Sequence, residues 1–269
     1  MTVAGPGAAI ALQSVANLRD LGGWRTAQGA VVRPGRLYRS AGLGYATDAD
    51  VAILGRLGIA TIFDLRTAGE RAAVPDRLPG TADLVVADVL GDVEDSVPGH
   101  MFELLQDPVR ATRALSDGRA EALLTTAYEQ FVTRSGAHDA FALIFGHLAQ
   151  DGPGPVLVHC TTGKDRTGWA VAALLLLLGV PESDVMAEYL LTNDQLLPAL
   201  APMFSAFAEA GGDPAVLQPV LGVRAEYLGH ALDLVRQRYG SIEGYFAGPL
   251  GLDASAQSAL RRRFLVDGR

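Results

Sequence analysis

The turn-forming run Asp151-Gly-Pro-Gly-Pro155 opens into the nearly continuous apolar stretch Pro155-Val-Leu-Val-His159. Successive apolar positions, rather than alternating ones, predict a strand covered on both faces, the interior strand of a largely parallel sheet. Three further β-rich runs, Arg36–Ser40, Ala60–Leu65 and Leu84–Ala87, predict its companions. Helical spacing fills the intervals. Thr47 before Asp48-Ala-Asp-Val, closed by Gly58, reads as a capped helix leading into the second of these strands. Apolar residues recur at helical spacing over Glu121–Arg134 and Ala137–Gln150. Beyond residue 163 the pattern predicts only helices: Lys164–Leu178, Glu182–Leu191 behind Pro181, Asp194–Ala210, Arg224–Tyr239 and Ala254–Leu265. The breakers Gly211-Gly-Asp-Pro214 and Gly248-Pro-Leu-Gly251 separate the last of these.

No internal repeat and no clean linker interrupts the 269 residues, so a single α/β domain is expected, with residues of about 90–134 and 192–221 as helical insertions. A content of 49% hydrophobic and 19% charged residues excludes disorder as the overall state. The net charge of −8 disfavours nucleic acid and anionic membranes as partners, so an anionic substrate must be attracted locally. One cysteine makes neither an internal disulfide nor a four-thiolate zinc site. The longest apolar run, Trp169–Val180, has 12 residues with Gly179 inside it, short of the roughly 20 that cross a bilayer. Met1–Leu12 has no Lys or Arg and so lacks the basic start of a secretory signal. A soluble protein is expected. From Thr81 to Asp107 there are seven acidic residues and no Lys or Arg. This segment reads as a solvated loop or as the home of a catalytic acid. His100, His138, His147 and His230 show no metal-ligand spacing.

The chemistry concentrates in Val158-His-Cys-Thr-Thr-Gly-Lys-Asp-Arg-Thr-Gly168, at the junction of the interior strand and a long helix. It holds the only cysteine and the only lysine of the chain. Cys-x5-Arg in a tight turn containing Gly163 directs successive amides, of Thr161, Thr162, Gly163 and their neighbours, toward one point. The helix N-terminus adds positive potential there. This makes a cradle for a tetrahedral dianion. Arg166 closes it with a fork that matches two phosphate oxygens, and the same field favours the thiolate of Cys160. Thr167 is placed to donate to the sulfur as it leaves phosphorus, His159 to fix the loop through the backbone, and Lys164 to add a second cation, with Gly168 closing the motif. Asp165 where an ATP-binding loop needs Ser or Thr rules out that alternative.

At these residues the chain resembles the Cys-x5-Arg protein phosphatases, and more closely the atypical bacterial tyrosine phosphatases with His-Cys-x-x-Gly-Lys-Asp-Arg-Thr-Gly. Asn17-Leu-Arg-Asp-Leu-Gly-Gly23, Arg36-Leu-Tyr-Arg-Ser40, Asp64-Leu-Arg66, Thr192-Asn-Asp194 and Gly222-Val-Arg-Ala-Glu-Tyr227 are similar to family segments, so the resemblance spans nearly the whole chain. It implies a phosphatase-like α/β domain with a mostly parallel sheet and no metal or other cofactor. It also implies activity on phosphotyrosine, in some members with phosphoserine, phosphothreonine and phosphoinositides. A helical lid is implied, for which Gln195–Ala210 and the segment before Leu221 are the candidates. Some members are secreted without a cleaved signal, so the cytoplasm and the exterior both remain open.

The resemblance makes Asp165, the loop aspartate, the first candidate for the general acid or for organiser of the attacking water, with Asp88 and Asp92 as alternatives. Arg39 and Arg66, at strand ends, are read as substrate contacts or as partners in buried ion pairs. Tyr128 and Arg134 are read as lining the mouth or as packing plus surface charge. Two other functions share the motif's placement: a rhodanese-like sulfurtransferase and a phosphate-binding module without catalysis. The Arg166-Thr-Gly168 sequence favours phosphate over the first, and the intact Cys160 and Arg166 argue against the second.

Overall fold

Four short strands form at the places that the apolar pattern marks, and a fifth completes the sheet. The computed structural model describes residues 5–80, 82–93, 104–150, 152 and 154–268. Its five-stranded sheet runs β1 (Arg19–Asp20), β3 (Leu37–Ser40), β6 (Val156–His159), β4 (Thr61–Asp64), β5 (Asp83–Val86). Only β1 is antiparallel to its neighbour. β2 (Val31–Val32) and β7 (Leu265–Val266) form a separate ribbon. β6 is central and all four of its residues are buried, as the unbroken apolar run requires. Alternate residues serve opposite faces: Val156 and Val158 enter a large core with Phe63, while Leu157 enters a smaller one with Ile62 and Tyr38.

The smaller core is covered by α1 (Asp48–Arg56) through Leu54. Thr47 and Asp50 form the expected cap reciprocally, and Gly58 leaves the helix end at φ +69°. On the other face lie α4 (Arg119–Thr133), α5 (Ser135–Ala149), α6 (Asp165–Leu177), α9 (Ala225–Tyr239), α10 (Ile242–Ala247) and α11 (Ala254–Phe264). α6 is buried at every residue from Arg166 to Leu175, so the apolar run that starts at Trp169 is a core helix as far as Leu177. The other α-helices among the described residues are the short α2 (Ala68–Ala73), α3 (Pro108–Leu115) and α8 (Leu217–Leu221) and the long α7 (Glu182–Glu209). The fold is therefore α/β, a mostly parallel sheet flanked by helices. Among the described residues no helix is long and apolar enough to cross a membrane.

Two expectations are corrected. The two helices expected on either side of Thr192-Asn193 are one, α7, of 28 residues. Tertiary bonds hold these poor helix formers in register: Thr192 Oγ1 accepts from Arg19 (3.2 Å), and the Asn193 amide bonds both N–H and C=O of Val223 (2.8 and 2.9 Å). Pro198 and Pro202 lie at exposed positions. There water can satisfy the carbonyls that proline leaves without a donor. At the other end the last helix stops at Phe264, and Leu265 turns into β7. Arg33 makes that turn, donating to the carbonyls of Arg263 and Leu265, both at 3.2 Å. Of the two expected insertions, residues 192–221 pack Leu217 and Val220 into the large core, and the described part of 90–134 packs Leu124, Tyr128 and Phe131 there. Glu94, Asp95, His100 and Glu103 of the acidic run lie outside the described residues.

Candidate active site

β6 ends at His159 and α6 begins at Asp165, so Cys160 to Lys164 make the turn at the carboxyl end of the central strand, where open α/β sheets hold ligands. Gly163 has φ +67°, and a Cβ there would stand 2.1 Å from the Ser40 carbonyl oxygen, so only glycine fits. The loop's carbonyls are held from outside. Gly163 O accepts from Arg39 Nη2 (2.6 Å) and Asn17 Nδ2 (3.0 Å), Thr162 O from Asn17 (3.3 Å) and Thr161 O from the Gly42 amide (3.1 Å). A trans peptide sets N–H opposite C=O, so the amides of Thr162, Gly163 and Lys164 point away from these donors.

Arg39 is itself held by Glu188 of α7, Nη1 to Oε2 at 2.8 Å, and the other carboxylate oxygen takes Arg19 Nε at 2.7 Å. None of the three side chains is more than 1% exposed. Burial and the like charge of Arg39 press Arg19 down to about 10. Burial also resists the charge on Glu188, yet the two guanidiniums hold its carboxyl below the usual range. Arg39 is thus in a buried ion network that grips the loop from behind. Arg66 is similar: it pairs with Asp64 (2.7 Å) and Asp76 (2.6 Å) and bonds Val74 O (2.8 Å). His159 Nδ1 lies 3.2 Å from Cys160 O, so the imidazole braces the loop through its backbone, while Nε2 faces Asp76 Oδ2 at 3.2 Å without a hydrogen bond to it. Ligand atoms of Asp64, Asp76 and His159 come within 4.8 Å of one another, a spacing that a cation could bridge. The Arg66 guanidinium already supplies positive charge there.

Cys160 and Arg166 are both buried. The fork of Arg166 meets a residue that the sequence did not point out: Glu70 of α2, with Nη1 to Oε2 at 2.7 Å and Nη2 to Oε1 at 2.8 Å. Glu70 also accepts from the Thr161 hydroxyl and the Thr67 amide. Burial alone would raise its carboxyl, but the bonds and charge of Arg166 outweigh that and bring it down to about 2. Burial opposes the charge on Arg166 as well, and the anionic surroundings of Glu70, Cys160 and Asp165 raise it nevertheless. The sequence carried a signal for Glu70 as a helix cap and none for its contact with Arg166. Thr67-x-x-Glu70 is a capping box, both bonds of which form, and the same carboxylate that caps α2 orients Arg166.

The depressed Glu70 contributes stability that is fully present above its ordinary value of 4.5 and is lost as pH falls toward about 2. A shift of that size corresponds to roughly 3 kcal/mol. Glu70→Gln is therefore expected to flatten the acid limb of stability, read by urea unfolding between about pH 5 and pH 3. The same variant should lower kcat/KM about tenfold by loosening Arg166. An acid limb identical to the wild type would remove the pair from this role.

Asp165, the first residue of α6, is half-buried. Its Oδ2 lies 2.6 Å from Lys164 Nζ, and its Oδ1 accepts from Tyr128 OH at 3.3 Å. Lys164 is buried rather than extended over the mouth. Thr167 is fully buried and its hydroxyl has no hydrogen-bond partner among the described residues. The expected bond to the Cys160 sulfur is therefore not made in this structure, where α6 is packed all round at this turn. Gly168 lets Tyr189 approach, a Cβ there standing 3.0 Å from its ring. The alternative acids have partners of their own: Asp88 pairs with Arg71 (3.4 Å) and accepts from the Leu90 amide (3.1 Å), and Asp92 pairs with Arg134 (3.3 Å). Tyr128 is in the core, and Arg134 is half-exposed against Asp92.

Comparison with known proteins agrees with this geometry. Residues 10–266 match the model of the tyrosine phosphatase family. The triple specificity protein phosphatase PtpB of Mycobacterium tuberculosis is 36% identical over 85% of this chain and 89% of its own length. A Cupriavidus necator protein assigned to the tyrosine-protein phosphatases is 35% identical over 91% of this chain and 85% of its own length. A tyrosine-protein phosphatase of Nostoc commune is 32% identical over 77% and 67% respectively. With a family match over residues 10–266 and relatives 35–36% identical over most of both chains, the chain belongs to the tyrosine phosphatase family.

Proposed function

We propose that the chain hydrolyses phosphotyrosyl proteins through a phosphocysteine on Cys160, with Asp165 as the proton carrier. In the first step the sulfur forms a bond to phosphorus as the bond to the tyrosyl oxygen breaks. Loop amides and Arg166 hold the equatorial oxygens, and the Asp165 carboxyl gives its proton to the leaving oxygen. In the second, water attacks phosphorus, Asp165 takes the proton from water, the S–P bond breaks and inorganic phosphate leaves. The Thr167 hydroxyl, without a hydrogen-bond partner among the described residues, is available to turn to the sulfur as it departs. His159 has no part as a base, since both its nitrogens face fixed partners. The observation that carries this reading is the turn at the end of β6, where the outward-held carbonyls of Thr161, Thr162 and Gly163 leave the amides between Cys160 and Arg166 for an anion.

The name of the mycobacterial relative supports a substrate range wider than phosphotyrosine. For a phosphoinositide, a second phosphate would draw Lys164 from Asp165, its partner at 2.6 Å. Gln195–Ala210, which takes in the second half of α7, and the segment before Leu221 are the candidate lid. With a chelator present, the protein is expected to hydrolyse a phosphotyrosyl peptide at an undiminished rate and to leave thiosulfate unchanged. Asp165→Asn should slow the peptide about a hundredfold. Lys164→Ala should lower turnover of a phosphoinositide about tenfold more than that of the peptide. Thiosulfate turnover would point instead to sulfur transfer, and tight binding of peptide without turnover to a recognition module.

A further inference from the structure

A buried pair of phenols ends on the candidate acid. Tyr128, from α4, and Tyr189, from α7, are fully buried, with their rings edge to face at 6.3 Å and their hydroxyls 2.6 Å apart. The Tyr128 hydroxyl is also 3.3 Å from Asp165 Oδ1. Each phenol has one proton to give. Since Tyr128 donates to the carboxylate, Tyr189 donates to Tyr128, and the chain of donors runs Tyr189 to Tyr128 to Asp165. Burial, reinforced by the negative charge of Asp165, holds both phenols well above their ordinary value, so neither becomes an anion at neutral pH. The other carboxylate oxygen faces the Lys164 ammonium as an ion pair at 2.6 Å.

We propose that Tyr128, supported by Tyr189, is a positioning residue for Asp165 that stabilises the carboxylate formed when the leaving oxygen takes its proton. The proposal rests on Asp165 as the acid. A neutral donor to Asp165 Oδ1 bonds more strongly to the carboxylate than to the carboxylic acid. Its contribution therefore grows through the first step, in proportion to how far the proton has moved. Proton transfer matters most when the leaving oxygen is strongly basic and least when it departs easily unassisted. A packing role would lower all substrates alike.

The test is kcat/KM for a series of aryl phosphates whose phenols range from weakly to strongly basic, measured on wild type, Tyr128→Phe, Tyr189→Phe and Asp165→Asn. Phenylalanine keeps the buried ring, and thermal unfolding of each variant reports whether the core is intact. The expected result for Tyr128→Phe is a loss of about tenfold on phenyl phosphate and less than about twofold on the most activated substrate. Tyr189→Phe should show the same trend at smaller amplitude, and Asp165→Asn a steeper one. A uniform loss across the series, or none, in both tyrosine variants while Asp165→Asn keeps its slope would overturn the proposal and leave the acid in place. A flat series for Asp165→Asn would overturn the assignment of the acid and the positioning role with it.

Discussion

Replacing Cys160 by serine is expected to reduce turnover of phosphotyrosyl peptide and para-nitrophenyl phosphate by roughly 10⁴-fold or more while leaving the fold intact. A serine hydroxyl at that place needs a base to become a nucleophile. The His159 imidazole turns Nδ1 to the Cys160 carbonyl and Nε2 to the Asp76 carboxylate, so neither nitrogen is directed at the side chain of residue 160. Glu70 cannot serve either, because both of its oxygens are bonded to Arg166. The loop's outward bonds do not involve the sulfur, so the amides and Arg166 keep their places in the variant. Isothermal titration should therefore show vanadate or substrate still bound, and thermal unfolding within about 1 kcal/mol of wild type. Substantial turnover by Cys160→Ser would end the phosphocysteine mechanism.

The largest effect on stability is expected at Glu188, which reaches the Cys160 loop only through Arg39. Its carboxylate is the shared counter-charge of Arg19 and Arg39, all three at 1% exposure or less. Glu188→Ala leaves two buried guanidiniums facing each other without an anion. Breaking one buried pair in this way costs about 3–5 kcal/mol, and for a chain of this size that lowers Tm by on the order of 10 °C. Activity should fall too, because Arg39 holds Gly163 O at 2.6 Å and through it the direction of the next amide. Glu188→Gln keeps a polar group of the same shape and should recover part of the stability and little of the activity. Differential scanning calorimetry together with kcat/KM on one aryl phosphate would check this. A Glu188→Ala protein as stable as wild type would mean that the arginine pair tolerates its own repulsion.

The capped α1, the interior strand and the Cys160-to-Arg166 motif were legible because each is a local pattern of period, cap or spacing. Glu70 was not, although its capping box was in plain view. Nothing in Thr67-Ala-Gly-Glu70 says that the carboxylate meets an arginine 96 positions later. Arg39 and Arg66 were open to a role at the substrate until their partners Glu188, Asp64 and Asp76 were in place. The break expected at Thr192-Asn193 follows helix propensity, which is a weak term. Bonds to Arg19 and Val223 outweigh it, and the helix runs through.

The sequence by itself determined the α/β class, the interior strand and the loop on which the chemistry turns. Periodicity and the conformational needs of single residues act over a few positions and are written there. The tertiary structure alone decided which carboxylate orients Arg166, which network holds the cradle open from behind and which phenol reaches Asp165. Those assignments follow from burial. A charge or hydroxyl taken out of water must find a partner in the packed core, and the chain brings that partner from a distant segment that no local pattern names.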